Sequence, residues 1–151
     1  MFTRRLTLTE RYPWRWLAEG VRKVRALRER HKAFQAIREA RGITLLREWL
    51  SPEQRAQFDA SRCFDVVGCD TGRRYRIRHG TATNVQEIDD AGRPVMGWCF
   101  VPSGDLVAGD VMLAQKIALE SNERAALAVA NRFTVQTSDP NTLDAMPRGA
   151  Y

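Results

Sequence analysis

The sequence lacks the features that mark membrane and secreted proteins. No run of about 18 apolar residues occurs, which excludes a transmembrane helix. Charged and polar residues interrupt the first dozen positions, so no apolar signal core is present and we do not expect secretion. The chain has only 3 cysteines. So few cysteines form no disulfide framework, and they indicate reduced thiols in a cytoplasmic protein.

Lysine is scarce, and arginine takes its place. The basic residues are 21 arginines and 3 lysines. A guanidinium group binds phosphate through two hydrogen bonds, which would favour a phosphate-binding surface. The codon bias of a GC-rich genome produces the same replacement throughout a chain, so the composition leaves both explanations open.

The positive charge is concentrated in the first part of the chain. Residues 1–62 carry 15 Lys and Arg against 7 Asp and Glu, whereas residues 63–151 carry 9 against 11. The first part therefore has a net charge of +8 and the second −2, consistent with +6 for the whole chain. A basic segment beside a near-neutral one indicates that the basic segment binds something acidic.

Residues 1–62 are predicted to form a basic arm of two or three helices. From Trp14 to about Arg41, apolar residues recur at steps of three and four, which is typical of an amphipathic helix. Gly42 is a plausible stop for this helix. A second helix to about Ser61 is indicated by Ser51, Pro52 and Gln54, which form a capping box with proline in the first turn.

Residues 63–133 are predicted to form an antiparallel sheet and a helix, followed by a polar tail over 134–151. Four short alternating segments separated by turn signals indicate a four-stranded meander. A helix capped by Asp110 is expected from Val111 to about Phe133. The predicted fold class is therefore α+β, with the meander packed against this C-terminal helix.

Alternation of apolar residues defines the predicted core. Val85 and Ile88 are out of phase with each other, so we expect a β-bulge or an early strand end there. The expected core residues are Phe64, Val66, Tyr75, Ile77, Trp98, Phe100, Leu113, Ile117 and Leu127.

Three arginines alternate on the second predicted strand, at Arg74, Arg76 and Arg78. They could form a nucleic-acid surface by contacting phosphates. The expected strand register instead places Asp65 and Glu87 opposite Arg76, and Asp89 opposite Arg74. Cross-strand pairs of opposite charge favour a solvated face. Arg78 has no acidic partner in this register and is the most available of the three.

Metal and catalytic sites have little support. Cys63, Cys69, His79 and Cys99 are residue types that bind zinc, but no C-x2-C motif occurs and Cys63 would lie about 14 Å from Cys99 across the sheet. A nucleophilic pair of Cys63 and His79 remains as an alternative. The carboxylates Asp110, Glu120 and Glu123 lie near Lys116 on the last helix, and we interpret them as ordinary surface charges.

The basic amphipathic helix is the strongest candidate for function. It could bind nucleic acid, lie on an anionic membrane, or pack its apolar stripe on a protein. Glu19, Glu29 and Glu39 interrupt the basic face and argue against the membrane. The predicted partner-binding residues are Trp14, Trp16, Arg22, Lys23, Arg25, Arg28, Arg30 and Lys32.

A loose pattern within residues 63–133 resembles that of small uncharacterised bacterial proteins. It consists of Tyr75-Arg76-Ile77, Asn84-Val85, Cys99-x-x-Pro102 and the segment from Asp110 to Lys116. This resemblance implies no activity, ligand or site.

We therefore expect a non-catalytic, cytoplasmic binding protein, a subunit of a larger protein assembly, whose basic helices dock on an acidic partner. No cofactor, metal or small-molecule substrate is expected. A nucleic-acid-binding accessory protein is the first alternative, and a small enzyme using Cys63 and His79 is the second.

Overall fold

A computed structural model of the protein describes residues 13–135, with side chains from Leu17 onward. The fold class is α+β, as predicted. The elements in chain order are α1 (Pro13–Trp49), α2 (Pro52–Ser61), β1 (Cys63–Val67), β2 (Arg74–Arg78), β3 (Val85–Ile88), β4 (Pro94–Cys99), α3 (Ala108–Val129) and β5 (Asn131–Phe133). The predicted tail over 134–151 lies outside the described residues, apart from 134 and 135.

The chain divides into two compact units between Ala40 and Arg41, whereas the sequence suggested a boundary at residue 62. The difference arises from three apolar side chains that follow Arg41. Leu46, Leu50 and Phe58 are buried in the same hydrophobic core as the sheet. The last two turns of α1 and all of α2 are therefore structural parts of the sheet unit.

Gly42 does not end the first helix, so that prediction was wrong. Helix α1 continues to Trp49, and Gly42 is buried where the first turn of α3 meets it. A Cβ atom on Gly109 would lie 2.2 Å from the carbonyl carbon of Gly42. The absence of a side chain at Gly42 and at Gly109 lets the backbones of α1 and α3 approach closely. Glycine can also adopt the ordinary helical conformation, so Gly42 makes this contact inside α1 without ending the helix.

Helix α2 begins as the sequence predicts. Ser51 Oγ accepts a hydrogen bond from the amide of Gln54, and the side chain of Gln54 accepts one from the amide of Ser51. Pro52 occupies the first turn, where its missing amide hydrogen costs nothing. The predicted capping box is thus confirmed.

The sheet has five strands in the order β1-β2-β3-β4-β5, so the prediction of four was wrong. The predicted helix to Phe133 ends at Val129, and residues 131–133 pair antiparallel with β4. Phe133 pairs with Gly97, where a Cβ atom would lie 2.2 Å from the Phe133 ring. A glycine in β4 therefore leaves room for the aromatic side chain of the edge strand.

The register of β1 with β2 is the predicted one, with Asp65 opposite Arg76. The register of β2 with β3 differs by one residue, because Gln86, not Glu87, lies opposite Arg76. This register pairs Ile77 with Val85, both fully buried. A slip of one residue would turn Val85 to the other face of the sheet.

The predicted irregularity at the third strand is confirmed as a break in register. Glu87 pairs with Met96 and Ile88 pairs with Pro94, which leaves an extra residue in β4. The extra residue is Val95 of β4, and Val85 and Ile88 are both buried although they lie three residues apart in β3.

Most of the predicted core is confirmed. Phe64, Val66, Tyr75, Ile77, Trp98 and Leu113 are buried, and Phe100 and Leu127 pack against them while partly exposed. The prediction was wrong for Ile117, which lies on the solvent side of α3 and is exposed.

Helix α3 begins at Ala108, three residues before the predicted start at Val111. Its N-cap residue is Val107, which makes no side-chain capping bond, so the prediction of Asp110 as the cap was wrong. The early start brings Gly109 into the first turn, where it contacts the backbone of α1. Packing between helices, and not a capping side chain, determines where α3 starts.

We predict that Gly109→Ala lowers the stability of the protein by about 1–3 kcal/mol, since the new methyl group must push two helix backbones apart. Thermal unfolding followed by circular dichroism measures this loss. Gly20→Ala is the matched control, because it also lies inside a helix but no atom stands within 4 Å of its added Cβ. An unchanged melting temperature for Gly109→Ala would contradict the close helix contact.

Candidate partner-binding helix

The described part of the first unit is a helical segment, residues 13–40 of α1, with apolar side chains that remain exposed. Their exposed fractions range from 43% to 64%. They recur at steps of three, four and seven residues, so they form one stripe along the helix. The stripe consists of Leu17, Val21, Val24, Leu27, Phe34 and Ile37.

The predicted partner-binding cations lie on the same segment, and all are exposed. They are Arg22, Lys23, Arg25, Arg28, Arg30 and Lys32. Trp14 and Trp16 also fall within α1, but their side chains lie outside the described residues. Residues 13–40 hold eight Lys and Arg against three Glu, a net charge of +5.

The lysines and arginines of this segment differ in their partners. Lys23 lies 3.6 Å from Glu19, and Lys32 lies 3.8 Å from Glu29. Such exposed pairs within one helix contribute about 0.3–0.5 kcal/mol each. Arg22, Arg25, Arg28 and Arg30 of this segment form no ion pair with any of residues 17–135.

The three arginines of β2 all form side-chain hydrogen bonds, and two of them share one carboxylate. Asp65 accepts hydrogen bonds from Arg76 Nε at 2.8 Å and from Arg74 Nη2 at 3.0 Å. This confirms the predicted contact between Asp65 and Arg76. Arg78 donates from Nε to the neutral side chain of Gln86 at 3.1 Å.

The other two predicted sheet pairs were wrong. Glu87 binds Arg73 at 3.1 Å, and Asp89 binds Arg93 at 2.8 Å. The observed register places Ile88, not Asp89, opposite Arg74, and Asp89 instead binds Arg93 within the β3–β4 turn. Because Asp65 holds Arg74 and Arg76, and Arg76 also donates to the carbonyl of Gly92, these two guanidinium groups are less available to phosphates than the four arginines of α1 without ion pairs.

Cys63 and Cys99 lie on β1 and β4, which are not neighbours in the sheet. Cys63 lies opposite Arg78, and its Sγ is 3.1 Å from Ser61 Oγ. His79 donates its amide to the carbonyl of Arg62, and Cys99 pairs with Asn131 on the far side of the sheet. Within residues 17–135, no group of three or more His, Cys, Asp or Glu side chains is placed to hold a metal ion.

Glu123 was interpreted as a surface charge, and this was wrong. Its side chain is fully buried and accepts four hydrogen bonds. The donors are the amides of Asp70 at 2.9 Å and Thr71 at 2.7 Å, the Thr71 hydroxyl at 2.5 Å and the Tyr75 hydroxyl at 2.6 Å. A Cβ on Gly68 would overlap this carboxylate, at 2.2 Å from its carbon.

Glu123 lies immediately after a kink in α3 at Asn122, whose backbone is not helical. In a regular helix the amide of Glu123 would donate to the carbonyl of Leu119. Here that carbonyl accepts from the amide of Cys69 at 3.1 Å, and the amide of Glu123 faces Cys69 Sγ at 3.5 Å. The β1–β2 turn thus inserts into the hydrogen-bond ladder of α3.

The hydrogen bonds determine the protonation state of Glu123. Burial raises the pKa of this carboxyl. The hydrogen bonds from Thr71, from Tyr75 and from two backbone amides lower the pKa by more than burial raises it, so the pKa lies below its ordinary value. Burial and the neighbouring carboxylate raise the pKa of Tyr75. Glu123 is therefore an ionised, fully bonded structural carboxylate, with its acceptor positions filled by the chain itself.

A second buried polar contact joins α3 to the sheet. Asn84 and Gln115 exchange two side-chain hydrogen bonds of 2.8 Å, and both side chains are buried. Asn84 also donates to the carbonyls of Arg78 and Gly80 in the β2–β3 loop. Sequence signals for both buried groups existed, since Gln115 and Glu123 fall on the same helical stripe as Met112, Leu119 and Ala126.

Comparison of the chain with models of protein families, with curated proteins and with solved structures gives no match. Within the part of the chain that the structure describes, no helix is both long and apolar enough to cross a membrane.

We predict that Glu123→Gln destabilises the protein by about 1–3 kcal/mol, because an amide nitrogen would face buried donors. The pH dependence gives a second measurement. Since the folded-state pKa of Glu123 is depressed, the carboxylate stabilises the fold above the ordinary value of 4.5, and this contribution is lost as the pH falls through the folded-state pKa.

Urea unfolding of the wild type and of Glu123→Gln at several pH values between 3 and 7 separates these effects. The difference in stability between the two proteins should shrink towards the acidic end. Glu120→Gln, on the exposed side of the same helix, is the control and should change stability by less than about 1 kcal/mol. A constant difference across this pH range would show that the charge of Glu123 does not contribute.

Proposed function

We propose that this protein is a non-catalytic binding or assembly protein, in which residues 14–37 of α1 dock on an acidic protein partner. The observation that carries the proposal is the exposed apolar stripe beside four arginines without ion pairs. The proposed binding residues remain Trp14, Trp16 and the six exposed cations of α1.

The stripe is the first support for a protein partner. An amphipathic helix of a globular protein usually turns such a stripe towards its core, where each large apolar side chain contributes about 1.5–3 kcal/mol on full burial. The six side chains of this stripe are all substantially exposed. A continuous apolar surface with a charged border is typical of a protein interaction site.

The arginines are the second support. A guanidinium group binds a carboxylate through two parallel hydrogen bonds and loses less hydration than an ammonium group. On this helix the two lysines have glutamates of their own, whereas Arg22, Arg25, Arg28 and Arg30 have no carboxylate among residues 17–135. An acidic surface on a partner would supply the missing carboxylates.

Nucleic-acid binding is the second candidate, and the same four arginines favour it. Phosphates would bind them as carboxylates do. The apolar stripe is the reason for preferring a protein, because contacts to a phosphate backbone leave apolar side chains exposed. Arg74 and Arg76 add little to this candidate while Asp65 holds them.

We expect the protein to sediment in an extract of its native cells as a complex well above its own mass of 17.2 kDa. The double variant Leu27→Gln/Phe34→Gln should sediment as the free chain, because it removes the centre of the stripe. The matched control is Ala18→Gln/Ala36→Gln, which places the same two glutamines at exposed positions on the opposite face of the helix.

Treatment of the extract with nuclease distinguishes the two candidates. A complex that resists nuclease and requires Leu27 and Phe34 supports a protein partner. A complex that nuclease disperses supports the nucleic-acid candidate instead. Sedimentation of the wild-type protein at its own mass would overturn the proposal.

A further inference from the structure

The spacing of apolar residues along α1 indicates which kind of secondary structure would pack on it. Six positions are spaced alternately three and four residues apart, which is the seven-residue repeat of two helices packed along their length. These positions, which we call the seam, are Leu17, Gly20, Val24, Leu27, His31 and Phe34. The seam covers 17 residue steps, or about 26 Å of helix.

Glycine at the second seam position provides a hole. A Cβ added to Gly20 would meet no atom within 4 Å, so the space above its backbone is open. Leu17, Val21 and Val24 surround this position on the neighbouring turns, and all three are exposed. A large apolar side chain from a second helix would fit such a hole, as knobs fit holes in helix pairs.

The charges that border the seam are all positive. In a seven-residue repeat, the two positions that flank the seam set which helices pair. Here the charged flanking residues are Lys23, Arg28 and Arg30, and none of the flanking positions between Val21 and Ile37 is acidic. The glutamates Glu19 and Glu29 lie away from these positions.

The same charges argue against a second copy of this chain as the occupant. In a parallel pair of copies, Lys23 of one helix would face Arg28 of the other. In an antiparallel pair, each flanking position would face the same flanking position of the other copy, so that Lys23 would meet Arg30. Either arrangement brings together positive charges only, which destabilises the pair. A helix with glutamate or aspartate at its flanking positions would form attractive pairs in both orientations.

We infer that the partner contributes an acidic amphipathic α-helix, which packs lengthwise on the seam from Leu17 to Phe34. This inference rests on the proposed function and adds the structural class of the partner's binding element. Apolar side chains at the partner's own seam would cover the stripe, and its flanking carboxylates would pair with Lys23, Arg28 and Arg30.

The test uses the full-length protein and a synthetic helical peptide of 21 residues with Leu at both seam positions and Glu at both flanking positions of each repeat. Binding is measured by fluorescence anisotropy of the labelled peptide. Two further peptides serve as controls. One keeps the Leu seam but carries Lys at the flanking positions, and the other is the acidic peptide with its residues in scrambled order.

The wild-type protein should bind the ordered acidic peptide at least about tenfold more tightly than either control peptide. The variant Lys23→Glu/Arg28→Glu/Arg30→Glu should reverse this preference and bind the Lys peptide. Its matched control is Arg41→Glu/Arg78→Glu/Arg124→Glu, which changes the net charge equally at exposed arginines outside the proposed binding residues. That control should keep its affinity for the acidic peptide within about threefold.

Several results would overturn the inference. Equal binding of ordered and scrambled acidic peptides, or equal losses in both charge variants, would show attraction by net charge alone. Self-association of the wild type that requires Leu27 would indicate a second copy. Tighter binding to phosphatidylglycerol vesicles than to the peptide would indicate a membrane surface. If no peptide binds while the nuclease-resistant complex persists, the proposed function stands and only the helical partner is wrong.

Discussion

The insertion of the β1–β2 turn into α3 is the constraint on which the sheet unit depends. The helix gives up one backbone hydrogen bond at Asn122, and Cys69 takes over both groups that this break leaves open. The carboxylate of Glu123 then holds the turn through two amides and two hydroxyls. An ionised group survives in the interior because every acceptor position that it offers is bonded.

This contact fixes the helix against the sheet together with the pair of Asn84 and Gln115. The two polar contacts lie at the two turns that flank β2, so α3 is joined to both ends of the same central strand. Leu119 lies between them on α3 and Met112 lies one turn before Gln115, and both are fully buried in the apolar core that contains Tyr75. Polar contacts therefore set the position of the helix, and apolar burial supplies most of the stabilisation.

The core of the sheet unit is complete without the exposed stripe of α1. Among the described residues, no side chain before Ile43 belongs to this core. Because the side chains of the stripe are exposed and lie outside that core, we propose that they bind a partner. A surface that combines exposed apolar side chains with unpaired guanidinium groups fits an amphipathic acidic protein better than a phosphate backbone, which offers charge without an apolar face.

The sequence by itself determined the elements whose signals are local. The capping box of α2, the four longer strands, the register of β1 with β2 and the amphipathic pattern of α1 depend on residues close together in the chain, and all could be predicted. The apolar stripe of the candidate site could also be predicted, because a helix places residues three and four apart on one face.

The tertiary structure alone decided the rest, because those features depend on residues far apart in sequence. Gly42 has the sequence signal of a helix stop, and only the packing of Gly109 against it shows why a glycine lies inside α1. The three residues of β5 are too few to show alternation, and the strand is recognised only by the pairing of Phe133 with Gly97. Glu123 resembles a surface charge until Gly68, Thr71 and Tyr75 surround it. In each case the decisive neighbour lies dozens of residues away, and only packing brings the two together.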